Sequence, residues 1–363
     1  MSILLDKMHW LEIRSIRASM ERLSHLDYEL QEPLESRVRT ARQIIITEFG
    51  APEVMQVTRV DVPAPSPTQV QIRQTAIGFN FIDVYQRRGI YPLPLPTGLG
   101  HEAAGAVEAV GAEVTEFKVG DRVAYMHAGL GAYADYRNVA ADRLVRIPDG
   151  VSDEQAASLI FKGLTAQYLL RKTHVVKPGE VVLVHAAAGG VGQILCQWAK
   201  ALGAFVIGTA GSEVKCAAAK AAGADVAIDY SREDWSKTLL ELTGGRKANV
   251  VYDSVGKDTF LKSLDCAAPF GLVVLYGAAS GPAPAIEPEL LNKKGCLFLT
   301  RPSVFPHNAD AAVFRENAAE LFAAIASGIV KSNIGSRFGL DEIVAAHRAA
   351  ESRNTQGATL ILP

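Results

Sequence analysis

The chain has no cysteine before Cys196, and its four thiols, Cys196, Cys216, Cys266 and Cys296, are solitary and far apart. That excludes a disulfide framework and a paired-cysteine zinc clamp. No stretch approaches the ~20 consecutive apolar residues that a membrane-spanning helix needs. Met1 to Trp10 lacks the basic start and apolar core of a secretory signal. Charge of one sign is also missing: 37 Lys and Arg stand against 39 Asp and Glu, for a net charge of -2. With no Lys/Arg-rich run, nucleic acid and anionic membranes have nothing general to attract them. These absences point to a cytoplasmic globular protein. Its 363 residues suffice for two domains, and 48% of them are hydrophobic.

Residues 1–40 have no glycine and a single proline. Leu11, Ile13, Ile16, Met20 and Leu23 recur at roughly helical spacing, so a short amphipathic helix without catalytic role is expected there. A mitochondrial presequence would use Arg14, Arg17 and Arg22, but Asp6, Glu12, Glu21 and Asp27 count against it. From Gln43 onward, short β-rich runs (Gln43–Thr47, Val70–Ala76, Ala104–Val110) alternate with turn residues such as Gly111, Gly120-Asp121 and Pro148-Asp149-Gly150. A barrel-like β domain is expected. After Ser152, which with Gln155 forms a capping-box pattern, strands alternate with helices. They run from Val181–His185 through a helix to Ala201, Phe205–Gly208, a helix near Val214–Ala222, Val226–Ile228 and a helix near Trp235–Leu242 to Val250–Asp253 and Leu272–Leu275. That alternation predicts a doubly wound parallel sheet, a Rossmann-type α/β unit inserted into a discontinuous β domain.

The apolar strand Val181–Val184 runs into His185-Ala186-Ala187-Ala188-Gly189-Gly190-Val191-Gly192 and then into a helix pattern. Small residues there let main chain approach a pyrophosphate, and helix-start N–H groups face its charge. Against the G-x-G-x-x-G template, Ala187 holds the first position, and Gly189 and Gly192 the others. The next strand ends at Gly208-Thr209-Ala210-Gly211-Ser212 with no acid to accept from a ribose 2′-hydroxyl; Glu213 falls one step later. Ser212 and Lys215 supply a hydroxyl and a cation instead, and Tyr230 adds a phenol, a set suited to a 2′-phosphate. The expected cofactor is therefore NADPH rather than NADH.

His185–Gly192 (HAAAGGVG), Gln197–Gly203 (QWAKALG), Val251–Gly256 (VYDSVG), Phe79–Asp83 (FNFID), Gly163–Thr165 (GLT) and Ser352–Gly357 (SRNTQG) together resemble the bacterial quinone oxidoreductases related to ζ-crystallin, in the zinc-free branch of the medium-chain dehydrogenase/reductase superfamily. The resemblance runs from about Arg42 to Pro363 and leaves out the first 40 residues, for which an upstream translation start is one explanation. It implies a GroES-like β domain at 41–162, a Rossmann domain at 163–301, a return to the first domain at 302–363, and a homodimer. Carried over by motif, the cofactor contacts are Phe81, Ile82, Asp83, Val84, Tyr85, Thr165 and Tyr168 at the nicotinamide end. Gly189, Gly190 and Val191 lie at the pyrophosphate. Gly211, Ser212, Lys215 and Tyr230 hold the adenosine phosphate, and Ser254, Tyr276, Gly277 and Arg353 complete the enclosure.

Zinc enzymes of that superfamily hold the metal with thiolate and imidazole. Here Asn80 fills the place of the first cysteine, and a neutral amide is no substitute for a thiolate. His101, in Gly100-His101-Glu102, is read as a hydrogen-bonded structural histidine, and no metal is expected. The chemistry is then hydride transfer from nicotinamide to an electron-poor quinone. Asn80, Asp83, Tyr85 and Tyr91 are the candidate catalytic residues. On an extended or turn backbone, Asp83 and Tyr85 share one side and both face the cleft. Tyr85 and Tyr91 donate to the acceptor oxygen, Asn80 orients, and the Pro92, Pro94 and Pro96 segment stiffens a wall. Two other readings stay open. One is an alkenal or enone double-bond reductase on the same scaffold; the other is a protein that keeps an NADPH pocket for binding, including RNA, which the near-neutral charge disfavours.

Overall fold

The computed structural model describes residues 39–231, 234–352 and 355–363. The helix expected within the first 40 residues lies outside the described residues, apart from Arg39 and Thr40, which begin the first strand.

In the amino-terminal half, β1 (Arg39–Ile46) pairs antiparallel with β2 (Gln56–Val62). The long strand β3 (Gln69–Gly78) is followed by helix α1 (Phe81–Arg87). Then come β4 (Thr97–Gly98), β5 (Glu102–Val110), β6 (Arg122–Met126), β7 (Tyr136–Ala140) and β8 (Leu144–Arg146). One sheet has the order β2-β1-β4; β3, β5, β6 and β8 are consecutive in another, with β7 paired to β3. Apolar residues of these strands, Ile44, Ile72, Val107 and Tyr125, close a core with Tyr133 of the segment before β7, all at most 1% exposed.

Helix α2 (Asp153–Tyr168) begins at the expected cap: Ser152 Oγ accepts from Gln155 N at 3.1 Å, and Gln155 Oε1 accepts from Ser152 N at 2.9 Å. The parallel unit follows, with β9 (Val181–Val184), α3 (Gly190–Ala201), β10 (Phe205–Ala210), α4 (Glu213–Ala221), β11 (Val226–Asp229), α5 (Trp235–Leu242), β12 (Ala248–Asp253), α6 (Phe260–Cys266), β13 (Ala267–Leu275) and β14 (Phe298–Thr300). The strand order β11-β10-β9-β12-β13-β14 is that of a doubly wound nucleotide-binding sheet, as the alternating pattern predicts. Both faces of β9 are covered, which is why Val181–Val184 is apolar without alternation. Helix α7 (Ala311–Ala326) packs on α2, and β15 (Ile334–Gly339), helix α8 (Ile343–Glu351) and β16 (Ala358–Leu362) return the chain to β3.

Helix α2 joins the two halves. Its apolar residues share one core with Ala76, Ala104 and Ala124 of the β-rich part and Val182, Val184 and Tyr252 of the parallel sheet. The cleft between the halves is therefore held by a rigid, buried helix.

Candidate active site

A cavity of about 990 Å³ opens at the carboxyl ends of β9, β10 and β12, between the parallel sheet and α1. Its deepest turn is built by β9 and α3. His185 is fully buried; its Nδ1 pairs with Thr209 Oγ1 at 2.7 Å and its Nε2 with Ser263 Oγ at 3.0 Å. Burial pushes its pKa down, so the imidazole is a neutral pin for the turn. Ala186 takes a left-handed φ of 50°, Gly189 N donates to Ala186 O at 2.8 Å, and α3 starts at Gly190. A Cβ on Gly192 would stand 2.3 Å from Ala186 O, so only glycine lets the helix begin so close to the strand. The first amides of α3 have no partner within the helix and face the cavity at Gly190 and Val191.

At the end of β10, Ser212 caps α4, its Oγ accepting from Lys215 N. Lys215 and Tyr230 line the cavity, and the Tyr230 ring lies against Gly211, where an added Cβ would be 3.1 Å from its hydroxyl. Gly211 and Ser212 shape this corner without lining it. Among the described lining residues, Lys162, Lys215, Lys262 and Arg301 stand against Asp258 as the one acid. Arg301 donates to Leu275 O at 2.9 Å and Gly277 O at 3.1 Å. A glycine cradle at a helix start, and a lysine with a phenol beyond β10, fit a pyrophosphate and a 2′-phosphate respectively. The residues present thus suit NADPH.

Thr165, Tyr168, Ser254, Tyr276 and Gly277 line the cavity as the motif transfer implies. Thr165 spends its proton on Phe161 O at 2.8 Å, and Tyr168 stacks on His307 at 4.5 Å. Gly277 packs so tightly on Ser254 that a Cβ would come within 2.5 Å of Ser254 O. Arg353 lies outside the described residues.

The segment after Asn80 departs from expectation. Residues 81–87 are helical, so positions 83 and 85 point about 200° apart. Phe81, Ile82 and Tyr85 face the cavity, and Asp83 and Val84 turn into the protein. Asp83 therefore does not share the cleft with Tyr85. It caps the helix by accepting from Asn80 N at 2.9 Å and accepts from the Tyr133 hydroxyl at 2.7 Å. Burial raises its carboxyl to about 7. Asn80, Tyr85 and Tyr91 do line the cavity, and the rings of Phe81, Tyr85 and Tyr91 meet edge to face at 5.2 and 5.3 Å.

His101 Nε2 pairs with Gln86 Oε1 at 3.0 Å, and burial lowers its pKa to about 4. Two residues of this corner escaped the sequence argument. Glu102, fully buried, accepts from Asn80 Nδ2 at 2.8 Å and Lys162 Nζ at 3.0 Å on Oε1, and from Phe161 N at 2.6 Å on Oε2. The signal available was an acid next to His101 in a small-residue strand, with a lysine in an otherwise apolar helix.

Residues 66–149 match the model described as "Alcohol dehydrogenase GroES-like domain", and residues 190–320 the model described as "Zinc-binding dehydrogenase". The chain is 49% identical to a quinone oxidoreductase of Pseudomonas aeruginosa over 324 residues, which covers 89% of this chain and 100% of the relative. A 2-haloacrylate reductase of a Burkholderia species is 44% identical, over 88% of this chain and 98% of the relative. Among solved structures, that of Escherichia coli quinone oxidoreductase complexed with NADPH superposes with a TM-score of 0.86 at 47% identity, covering 89% of this chain and all of the other. Sequence, fold and cleft agree, and the chain belongs to the quinone oxidoreductase family within the medium-chain dehydrogenases and reductases.

Proposed function

We propose that this protein is an NADPH-dependent quinone reductase that works without a metal. The observation that carries the reading is the pairing, in one cavity, of the Gly189–Gly192 cradle and the Lys215–Tyr230 corner with an aromatic wall of Phe81, Tyr85 and Tyr91. When bound, NADPH supplies a hydride at its nicotinamide ring. The cradle fixes the pyrophosphate, Lys215 and Tyr230 hold the 2′-phosphate, and Thr165, Tyr168 and Ser254 flank the ring. Phe81, Tyr85 and Tyr91 stack an acceptor against that ring and exclude water. The Tyr85 and Tyr91 hydroxyls donate to the oxygen on which charge develops, while Asn80, held by Glu102, orients the reacting edge. Asp83 acts at one remove, by capping α1.

Relatedness to a 2-haloacrylate reductase supports a second reading, reduction of a conjugated carbon–carbon double bond in the same cleft. Steady-state NADPH oxidation with 1,4-benzoquinone and with an α,β-unsaturated aldehyde tests both. Faster turnover of the quinone upholds the main reading, and faster turnover of the enone replaces it.

The division into 41–162, 163–301 and 302–363 remains a proposal, with the first boundary inside α2. A homodimer is proposed through β14, an edge strand with Phe298 61% exposed, next to β13, whose Phe270 is 71% exposed. No helix among the described residues is long and apolar enough to cross a membrane, and a cytoplasmic location is proposed on the cysteine usage.

A further inference from the structure

Lys162 is a buried lysine on the wall of the cleft, its side chain 9% exposed. Burying an ammonium is costly unless its charge is met, and Glu102, fully buried, meets it at 3.0 Å. An ammonium carries three donors. Among the described residues, Glu102 Oε1 is the one acceptor that Nζ reaches, and that oxygen also takes the Asn80 amide at 2.8 Å.

The place of the side chain says what the remaining donors meet. Its stem runs over the first residue of α3: a Cβ built on Gly190 would lie 3.0 Å from Lys162 Cδ and 3.3 Å from Cε. One turn along the same face of α2 is Thr165, and Tyr168 is one turn further. Lys162 thus stands between the pyrophosphate cradle and the residues that flank the nicotinamide ring. In a dinucleotide, the piece that spans that interval is the ribose joined to nicotinamide, whose two hydroxyls accept from an ammonium. The acceptor wall of Phe81, Tyr85 and Tyr91 is on α1 and the loop after it, and Asn80, which precedes that wall, is linked to Lys162 through Glu102.

We infer that Lys162 binds the hydroxyls of the nicotinamide ribose. Glu102 is a positioning residue: by holding Lys162 and Asn80 on one oxygen, it ties the sugar to the residue that precedes the acceptor wall. The inference rests on the NADPH reading above.

Titration calorimetry separates the two. The ligands are NADPH and adenosine 2′,5′-bisphosphate, which has the 2′-phosphate and no nicotinamide ribose. K162M is expected to weaken NADPH about ten- to hundredfold, the effect of losing a charged hydrogen bond, while the bisphosphate changes by less than about twofold. Because K162M leaves Glu102 buried without its cation, K162M/E102Q, which removes both charges, is measured alongside. Unchanged NADPH binding, or equal loss of both ligands, overturns the inference and leaves the NADPH reading standing. Failure of both variants to fold makes Lys162 structural and overturns it as well. Wild-type protein that binds neither ligand sinks the NADPH reading itself.

Discussion

The Tyr133 hydroxyl donates to Asp83 Oδ2 at 2.7 Å inside the β-rich core, directly beneath the helix whose other face lines the cleft. The same oxygen accepts from Asn80 N, and Oδ1 has no partner among the described residues. A carboxyl so placed is costly to ionise, because burial outweighs both hydrogen bonds and lifts it from an ordinary 3.8 to about 7. The acceptor wall is therefore anchored by a group that titrates near neutrality.

The sign of the effect follows from linkage. The folded state holds the Asp83 proton more tightly than the unfolded chain, so the stabilisation is complete below about 3.8 and is lost as pH rises to about 7. Asp83→Asn cannot ionise and lacks that slope. Thermal melts from pH 5 to 8 should show wild type losing stability relative to Asp83→Asn as pH rises, by at most about 3 kcal/mol over that range. Parallel curves would mean that Asp83 stays in one protonation state.

Lys215 lines the corner beyond β10 with Tyr230. A phosphate held by a lysine is worth a charged hydrogen bond, so Lys215→Ala should raise the NADPH Michaelis constant about ten- to hundredfold. NADH, which has a hydroxyl there, should change little. Equal effects on both cofactors would remove Lys215 from the phosphate site.

Periodicity made most of the fold legible. The strand–helix alternation after Ser152 marks the parallel sheet, since a buried strand such as Val181–Val184 is apolar throughout and Ser152 and Ser212 mark two of the helix starts. The glycine turn was legible because close packing of main chain leaves no other residue type possible at Gly192. The segment 81–87 was not, because seven residues are too few to establish a helical period against Asn80 and the nearby prolines. The error placed Asp83 in the cleft. Glu102 and Lys162 were hidden for another reason: they are 60 positions apart, and only the fold brings them onto one oxygen.

Gly190 and Gly192 are two positions apart and should respond differently. A Cβ on Gly192 meets main chain, Ala186 O at 2.3 Å, which cannot move without opening the turn. Gly192→Ala should cost about 1–3 kcal/mol of stability, as overpacking does, and abolish NADPH binding. At Gly190 the obstacle is the flexible Lys162 stem at 3.0 Å. Gly190→Ala should keep a near wild-type melting temperature and bind NADPH more weakly. Equal melting temperatures for the two variants would contradict this account of the cradle.

Tyr85 and Tyr91 meet edge to face at 5.3 Å, and both line the cavity. Tyr→Phe at either keeps the ring and removes the hydroxyl. If the hydroxyls stabilise the reduced acceptor, each variant should lower kcat about tenfold or more with little change in NADPH affinity. Rates within about twofold of wild type for both single variants and for the double variant would reduce these residues to packing.

The corner of His101 decides the role of metal. Gln86 Oε1 accepts from Nε2, so the ring carries its proton there, and burial keeps it neutral down to about 4. Its ring is walled by Phe161 and Phe305, at 5.9 and 5.4 Å between centroids. The neighbouring Asn80 donates its Nδ2 to Glu102, and Glu102 accepts from three donors and is the counter-ion of Lys162, so among the described residues no thiolate and no free carboxylate stands beside His101 to complete a ligand set. Dialysis against a zinc chelator should therefore leave quinone turnover unchanged, and His101→Asn should retain most of it. Activity lost on dialysis and restored by Zn²⁺ would make His101 a ligand and would require Glu102 to release Lys162.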